Sequence, residues 1–292
     1  MEEGIIVKSL SGFYYVENEQ GVFQCRGRGL FRKQKIKPLV GDNVRFEAEQ
    51  KEEGYIYEIV ERQNELIRPP VANVDQALLV FSAEEPAFSS LLLDRFLIHM
   101  ESSDIESIIV VNKMDLVKEK REQELMAFQQ DYKDIGYAFY FMSGKSGDGI
   151  EQLPPLLEGS ISIVAGQSGV GKSTLLNNLD RSLQLKTAEI SSHLGRGKHT
   201  TRHVELLSMH NGWIADTPGF SSLDFKSISE DDLDVCFPEM KERLPDCKFR
   251  GCTHRKEPGC AVKQALENGD IPSYRYEHYI QFYKEIFDHR RY

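Results

Sequence analysis

The eight residues Gly166-Gln167-Ser168-Gly169-Val170-Gly171-Lys172-Ser173 have the types and spacing of a phosphate cradle. The glycines let backbone N–H groups converge on an anion, Lys172 offers a cation to the β- and γ-phosphate oxygens, and the Ser173 hydroxyl can ligate Mg²⁺. Thr174 completes the predicted contact set. The run follows the apolar stretch Ser160 to Ala165 and opens a helical segment from Lys172 to Leu179. Strand, glycine loop and helix N-terminus are therefore in the order that phosphate binding needs. More than half of the chain lies before this loop, and that position has to be explained.

Three further groups supply the rest of a nucleotide site. Asn112-Lys113-Met114-Asp115 closes an apolar run. The Asp115 carboxylate can accept from both N1–H and the 2-amino group of guanine, and adenine has neither donor. The Asn112 amide can bond the purine N7 side or tether neighbouring loops, while the stem of Lys113 can lie along the base. Ser143-Gly144-Lys145 ends the next strand and can cover guanine O6 with a backbone N–H. Asp216-Thr217-Pro218-Gly219 ends a later strand. The Asp216 carboxylate there can bond water in the magnesium shell, and Gly219 can approach the γ-phosphate.

The elements that must hold these groups follow from the hydrophobic pattern. Residues 1–64 alternate over Gly4–Leu10, Gly12–Val16, Gly21–Cys25, Asn43–Glu47 and Gly54–Val60, which predicts a five-stranded barrel of the OB type. Inside this region Arg26 to Lys37 carries six basic residues and no acid. It suits an RNA phosphate backbone, with Phe31 free to stack on a base. Asn64 to Pro70 reads as a connector whose paired prolines end strand pairing. Beyond it, Gln76–Ser82 and Ser107–Asn112 are apolar throughout, as buried parallel strands are. Ser89 to Ser103 between them has helical spacing, with Leu92, Leu93, Phe96, Leu97 and Met100 on one side. A polar helix, Lys118 to Tyr132, and a strand, Ala138 to Met142, continue the βαβ series. After the phosphate loop, Val204–Ser208 and Trp213–Asp216 form a hairpin across His210-Asn211-Gly212.

Cys247, Cys252, His254 and Cys260 supply three thiolates and one imidazole, enough to close a tetrahedral structural Zn²⁺ site. Cys25 and Cys236 have no such company and read as packing residues. From Ser273 onward Tyr276, Tyr279, Ile280, Tyr283 and Phe287 recur at helical spacing and should pack on the metal lobe. The 292-residue chain carries a formal net charge of −10. That excludes a chain-wide nucleic-acid coat and confines any RNA contact to local basic patches. The start has no basic, apolar leader and no run approaches membrane-spanning length, so a cytoplasmic protein without membrane contact is expected.

Put in order, the motifs run NKMD, SGK, phosphate loop, then the segment containing His199, Thr200 and Thr201, then DTPG. GTP-binding domains ordinarily begin with the phosphate loop, so this order is a circular permutation. Permuted motifs, a basic OB-like N-terminus and a Cys/His knot resemble the bacterial ribosome small-subunit-dependent GTPase A family over essentially the whole chain. The resemblance implies a multi-domain α/β architecture: an OB-like RNA-binding domain over 1–64, a permuted P-loop GTPase domain over 65–222, and a mostly helical zinc-binding domain over 223–292. It implies GTP hydrolysis with Mg²⁺, binding to the 30S subunit and 16S rRNA alongside other maturation factors, and a monomer acting late in 30S maturation. Thr200 or Thr201 should complete the magnesium shell. Phe220 follows DTPG where many regulatory GTPases place a water-orienting glutamine, which makes His199 the candidate to position water. Two rivals stay open at this point: a nucleotide-gated RNA scaffold with incidental hydrolysis, and a permuted GTPase of the large subunit.

Overall fold

The structure, a computed structural model, describes all residues except Arg68, 181–203, 217–222, Ser227 and 290–292. For Leu30, Arg32, Gln34, Asp216 and His289 it describes only the backbone. The strands β1 (Glu2–Leu10), β2 (Phe13–Asn18), β3 (Gly21–Gly27), β4 (Asn43–Gln50) and β5 (Glu53–Ile59) run in the order β1-β2-β3-β5-β4, and β4 pairs back with β1. This closes the predicted barrel and removes its edges. Ile6, Val16, Phe23, Val44, Phe46 and Ile56 fill it.

Two expectations for this region are corrected. Within the basic stretch, Gly29–Gln34 forms a short helix, α1. That turn buries Phe31 against the barrel core, so its ring is not available to a base. Exposed cations rest on half-buried rings elsewhere on the barrel, where Arg26 stacks over Phe13 at 4.7 Å and Arg28 over Tyr57 at 4.5 Å. The connector also pairs after all: β6 (Glu65–Ile67) and β7 (Pro70–Ala72) make an antiparallel ribbon. A proline removes one N–H donor but keeps its carbonyl, so a three-residue ribbon tolerates it.

Six strands make the nucleotide-binding sheet, and they are β8 (Gln76–Ser82), β9 (Glu106–Asn112), β10 (Ala138–Phe141), β11 (Ile161–Ala165), β12 (Glu205–Met209) and β13 (Gly212–Asp216). Their order is β10-β9-β8-β11-β13-β12, with only β12 antiparallel to its neighbour. The turn between β12 and β13 has positive φ at His210 and Asn211, as a two-residue hairpin loop requires. Both faces are covered, which explains the uninterrupted apolar runs. Leu79, Phe81, Ile109 and Val111 face α2 (Ser90–Glu101) and α3 (Glu119–Ile135); Leu78, Val80, Ile108 and Val110 face α4 (Pro154–Leu157) and α5 (Lys172–Leu179). The barrel joins this sheet where β1 meets β12, and Lys8 bonds both Glu205 oxygens at 2.9 and 2.8 Å.

The last lobe contains α6 (Pro238–Lys241), α7 (Ala261–Asn268) and α8 (Ser273–His289) around a core of Leu233, Phe237, Met240, Val262, Tyr279, Phe282, Tyr283 and Ile286. Tyr276 and Ile280 pack against that core, but Phe287 remains 37% exposed, so the predicted stripe is shifted toward Phe282 and Ile286. Cys25 and Cys236 are buried, in keeping with packing roles. A buried ionic network fastens the lobe to the nucleotide domain. Arg275 bonds the Glu239 carboxylate at 2.7 and 2.9 Å and Asp94 of α2 at 2.5 Å, while Tyr132 and His278 each bond Asp94 at 2.6 Å. Arg275, Asp94 and Glu239 are all buried. Burial opposes the guanidinium charge, but the two carboxylates outweigh it and raise the Arg275 pKa further.

Candidate functional site

The phosphate loop crosses from β11 to α5 at the carboxyl end of the sheet, where strand order reverses around β11. Open α/β sheets place their ligand crevice at such a point. The backbone there is specific to glycine. A Cβ on Gly166, at φ 144°, would stand 2.0 Å from the Val80 carbonyl oxygen, and one on Gly171, at φ 96°, 2.3 Å from Asn112 Nδ2. Gln167, Ser168 and Gly169 form the exposed crest, whereas Val170 anchors the loop in the core and Ser173 is buried at the helix start. Lys172 folds over the loop and donates to the Gly166 and Gln167 carbonyls at 2.8 and 2.7 Å. Burial lowers its pKa to about 8.

Asn112 ties the loops together. Its amide donates to the Val170 carbonyl at 2.9 Å, and its oxygen accepts from the Gly144 N–H at 2.8 Å. Of the two roles considered for this side chain, the structure shows the tether. Asp115 is exposed at the mouth and accepts from the Ser143 hydroxyl at 2.6 Å, while the Met114 N–H donates to the Met142 carbonyl at 3.1 Å. Lys113 has a left-handed backbone and donates from Nζ to the Glu85 carbonyl. Lys145 is exposed. Three segments far apart in sequence thus converge: Asn112–Asp115, Ser143–Lys145 and Gly166–Thr174. Pattern reading missed Asn178, whose amide donates to the Gly144 carbonyl at 2.6 Å from the second turn of α5. An asparagine inside a helix, facing a glycine loop, was the available signal.

Asp216 ends β13 beside β11, as expected, with its backbone alone described. His199, Thr200, Thr201 and Gly219 lie outside the described residues.

Cys247, Cys252, His254 and Cys260 bring their ligand atoms within 4.8 Å of one another. His254 Nδ1 lies 3.3 Å from Cys260 Sγ and 3.7 Å from Cys247 Sγ. A tetrahedral Zn²⁺ with Zn–S of about 2.3 Å and Zn–N of about 2.0 Å sets its ligands at such separations. The donor set therefore fits zinc. The other ring nitrogen, Nε2, faces Asp234 Oδ2 at 3.2 Å, an arrangement that would fix the ring for a metal. Asp234 sits in an acidic run twenty residues upstream, where nothing marked it out. Tyr276 and Tyr279 of α8 donate to the His254 and Thr253 carbonyls at 2.7 and 3.1 Å and brace the knot. Burial raises the Cys252 and Cys260 thiols, so a bound cation would have to displace their protons.

A doubly covered sheet with a phosphate loop on its central strand, and base-reading loops placed earlier in the chain, defines a circularly permuted GTPase. A crystal structure described as YloQ, a circularly permuted GTPase, superposes with a TM-score of 0.87 at 50% identity, covering 99% of this chain and 96% of that one. YjeQ from Thermotoga maritima superposes with a TM-score of 0.88 at 38% identity, covering 98% of each. The family models for the RsgA GTPase and the RsgA N-terminal domain match residues 59–226 and 3–56. The chain belongs to the RsgA GTPase family. A Bacillus cytotoxicus protein named small ribosomal subunit biogenesis GTPase RsgA is 61% identical over 286 residues, 98% of each chain. Membership makes the chain a GTP hydrolase, with guanine nucleotide and Mg²⁺ as its working ligands. No described helix is long and apolar enough to cross a membrane.

Proposed function

We propose that this GTPase binds the small ribosomal subunit through 16S rRNA, assists late 30S maturation as a monomer in the cytoplasm alongside other maturation factors, and changes its affinity for the particle with nucleotide state. The observation that carries the nucleotide half is the pair of hydrogen bonds made by the Asn112 side chain, which holds the phosphate loop and the Gly144 loop as one body. Backbone N–H groups of Gly166 to Lys172 take the phosphates, and Ser173 with Thr200 or Thr201 takes Mg²⁺. Asp115 reads the base. Arg26, Arg28, Lys33, Lys35 and Lys37, all exposed on the barrel, support rRNA contact, as do the names of the relatives. Zinc at Cys247, Cys252, His254 and Cys260 holds the last lobe. The working domains are 1–64, 65–222 and 223–292.

Turnover measured with and without purified 30S particles, mature and immature, tests this reading. Strong stimulation by the particle is expected. A flat rate would favour a nucleotide-gated RNA scaffold instead. His199, as the group that orients water, gives a second expectation: His199→Ala should lower single-turnover hydrolysis roughly a hundredfold with little change in GTP affinity. An unchanged rate removes His199 from the mechanism.

Lys172 adds a pH dependence. The ammonium is the form that pairs with phosphate, and the nucleotide-free protein loses it as pH rises through about 8. Affinity should therefore be flat below that value and fall above it, by up to about tenfold per unit, with proton uptake on binding. Calorimetry at about pH 9 in buffers of unlike ionisation enthalpy reads that uptake directly. Buffer-independent heats would show that Lys172 is charged throughout.

A further inference from the structure

We infer that Arg95 is a positioning residue that links the chain leaving the DTPG segment to the zinc lobe. Leu223 stands four residues beyond Gly219, at most about 14 Å of extended backbone. The Leu223 carbonyl accepts from Arg95 Nη1 at 3.1 Å. The same guanidinium forks onto Glu285 of α8, with Nη1 to Oε1 at 2.7 Å and Nη2 to Oε2 at 2.5 Å. It packs against two rings that also touch each other, with its centre 4.5 Å from Phe225 and 4.8 Å from Phe282. Phe225 in turn stacks on His99, one turn further along α2, at 5.5 Å and 16°. One side chain thus touches the chain after the phosphate-sensing segment and the long helix of the last lobe.

The helix that carries Arg95 suits this role. Leu93, Phe96, Leu97 and Met100 of α2 belong to the core shared with the nucleotide-binding sheet, whereas Ile98 belongs to the core of the last lobe. Asp94 holds Arg275 and His278 of α8, and Arg95 holds Glu285 further along the same helix. Asp94 and Arg275 are both buried, so their pair acts as a fixed anchor. The Arg95 grip has a third partner in the Leu223 carbonyl. A planar fork with five donors can serve a carboxylate and a carbonyl together, which a lysine ammonium cannot do in the same geometry. A displacement of the Leu223 carbonyl relative to Arg95 on exchange of nucleotide would change the hold on Glu285.

This rests on the reading that nucleotide state changes affinity for the particle, and hydrogen exchange on the full-length, zinc-loaded chain separates the two. The forms compared carry GDP or a non-hydrolysable GTP analogue. In the unsubstituted protein, amides of α8 should exchange at rates that differ at least threefold between the two nucleotides. In Arg95→Met this difference should vanish, while nucleotide-dependent protection of the phosphate loop stays as it was. Arg95→Lys keeps a cation beside Glu285 and so guards against simple misfolding; its α8 difference should also drop at least threefold. A full difference in either variant that unfolds cooperatively overturns the proposal, as does an unsubstituted α8 blind to nucleotide. If α8 responds and Arg95 is required, yet 30S affinity is the same with both nucleotides, the linkage stands and nucleotide-controlled particle binding fails.

Discussion

Asp115→Asn is expected to weaken GTP binding about a hundredfold or more and to create affinity for xanthosine triphosphate. Two hydrogen bonds to an ionised carboxylate, each worth about 1.5–3 kcal/mol, connect Asp115 to the guanine edge in the proposed site. An amide would turn an N–H₂ donor toward the donors of guanine. The Ser143 hydroxyl decides how that amide sits. It donates to Asp115 Oδ1 at 2.6 Å and, in the variant, would keep the side-chain oxygen on its own side. The amide nitrogen is then left facing the base, where xanthine presents a carbonyl. Competition of the two triphosphates against labelled GDP reads both halves of the expectation. Unaltered GTP affinity would mean that Asp115 does not read the base.

The residues that could be read directly are those whose task is local. A phosphate cradle needs adjacent N–H groups, so Gly166 to Ser173 is contiguous, and its strand and helix flank it by necessity. Metal ligands in one small loop are equally visible, and the four atoms do meet. The barrel strands were legible because alternation is enforced by a closed, one-sided core. What escaped were relations between distant segments. Phe31 looked available because its neighbours are basic, but the turn of α1 directs it inward. Lys8 and Glu205 lie 197 residues apart and meet only because β1 and β12 are set side by side. Asn178 and Asp234 act on groups 34 and 20 residues away, and no short pattern connects them. The same holds for Asp94, Glu239 and Arg275, which look solvated in the sequence and are buried together in the fold.

That last group has a clear consequence. Arg275 is the only cation bonded to the Glu239 carboxylate among the described residues, while Asp94 keeps Tyr132 and His278. Arg275→Met preserves most of the side-chain volume beside Phe237 and Tyr132 but strands a buried carboxylate. Breaking a buried pair from one side costs about 3–5 kcal/mol, because desolvation of the remaining charge is no longer offset. For a domain of this size that is a fall in Tm of roughly 10 °C. Adding Glu239→Gln to Arg275→Met removes the stranded charge, and the double variant should regain part of the lost stability. Melting of both variants, followed by Trp213 fluorescence and by exchange in α8, tests this. A single variant with an unchanged Tm at neutral pH would show that the network contributes nothing to the attachment of the last lobe.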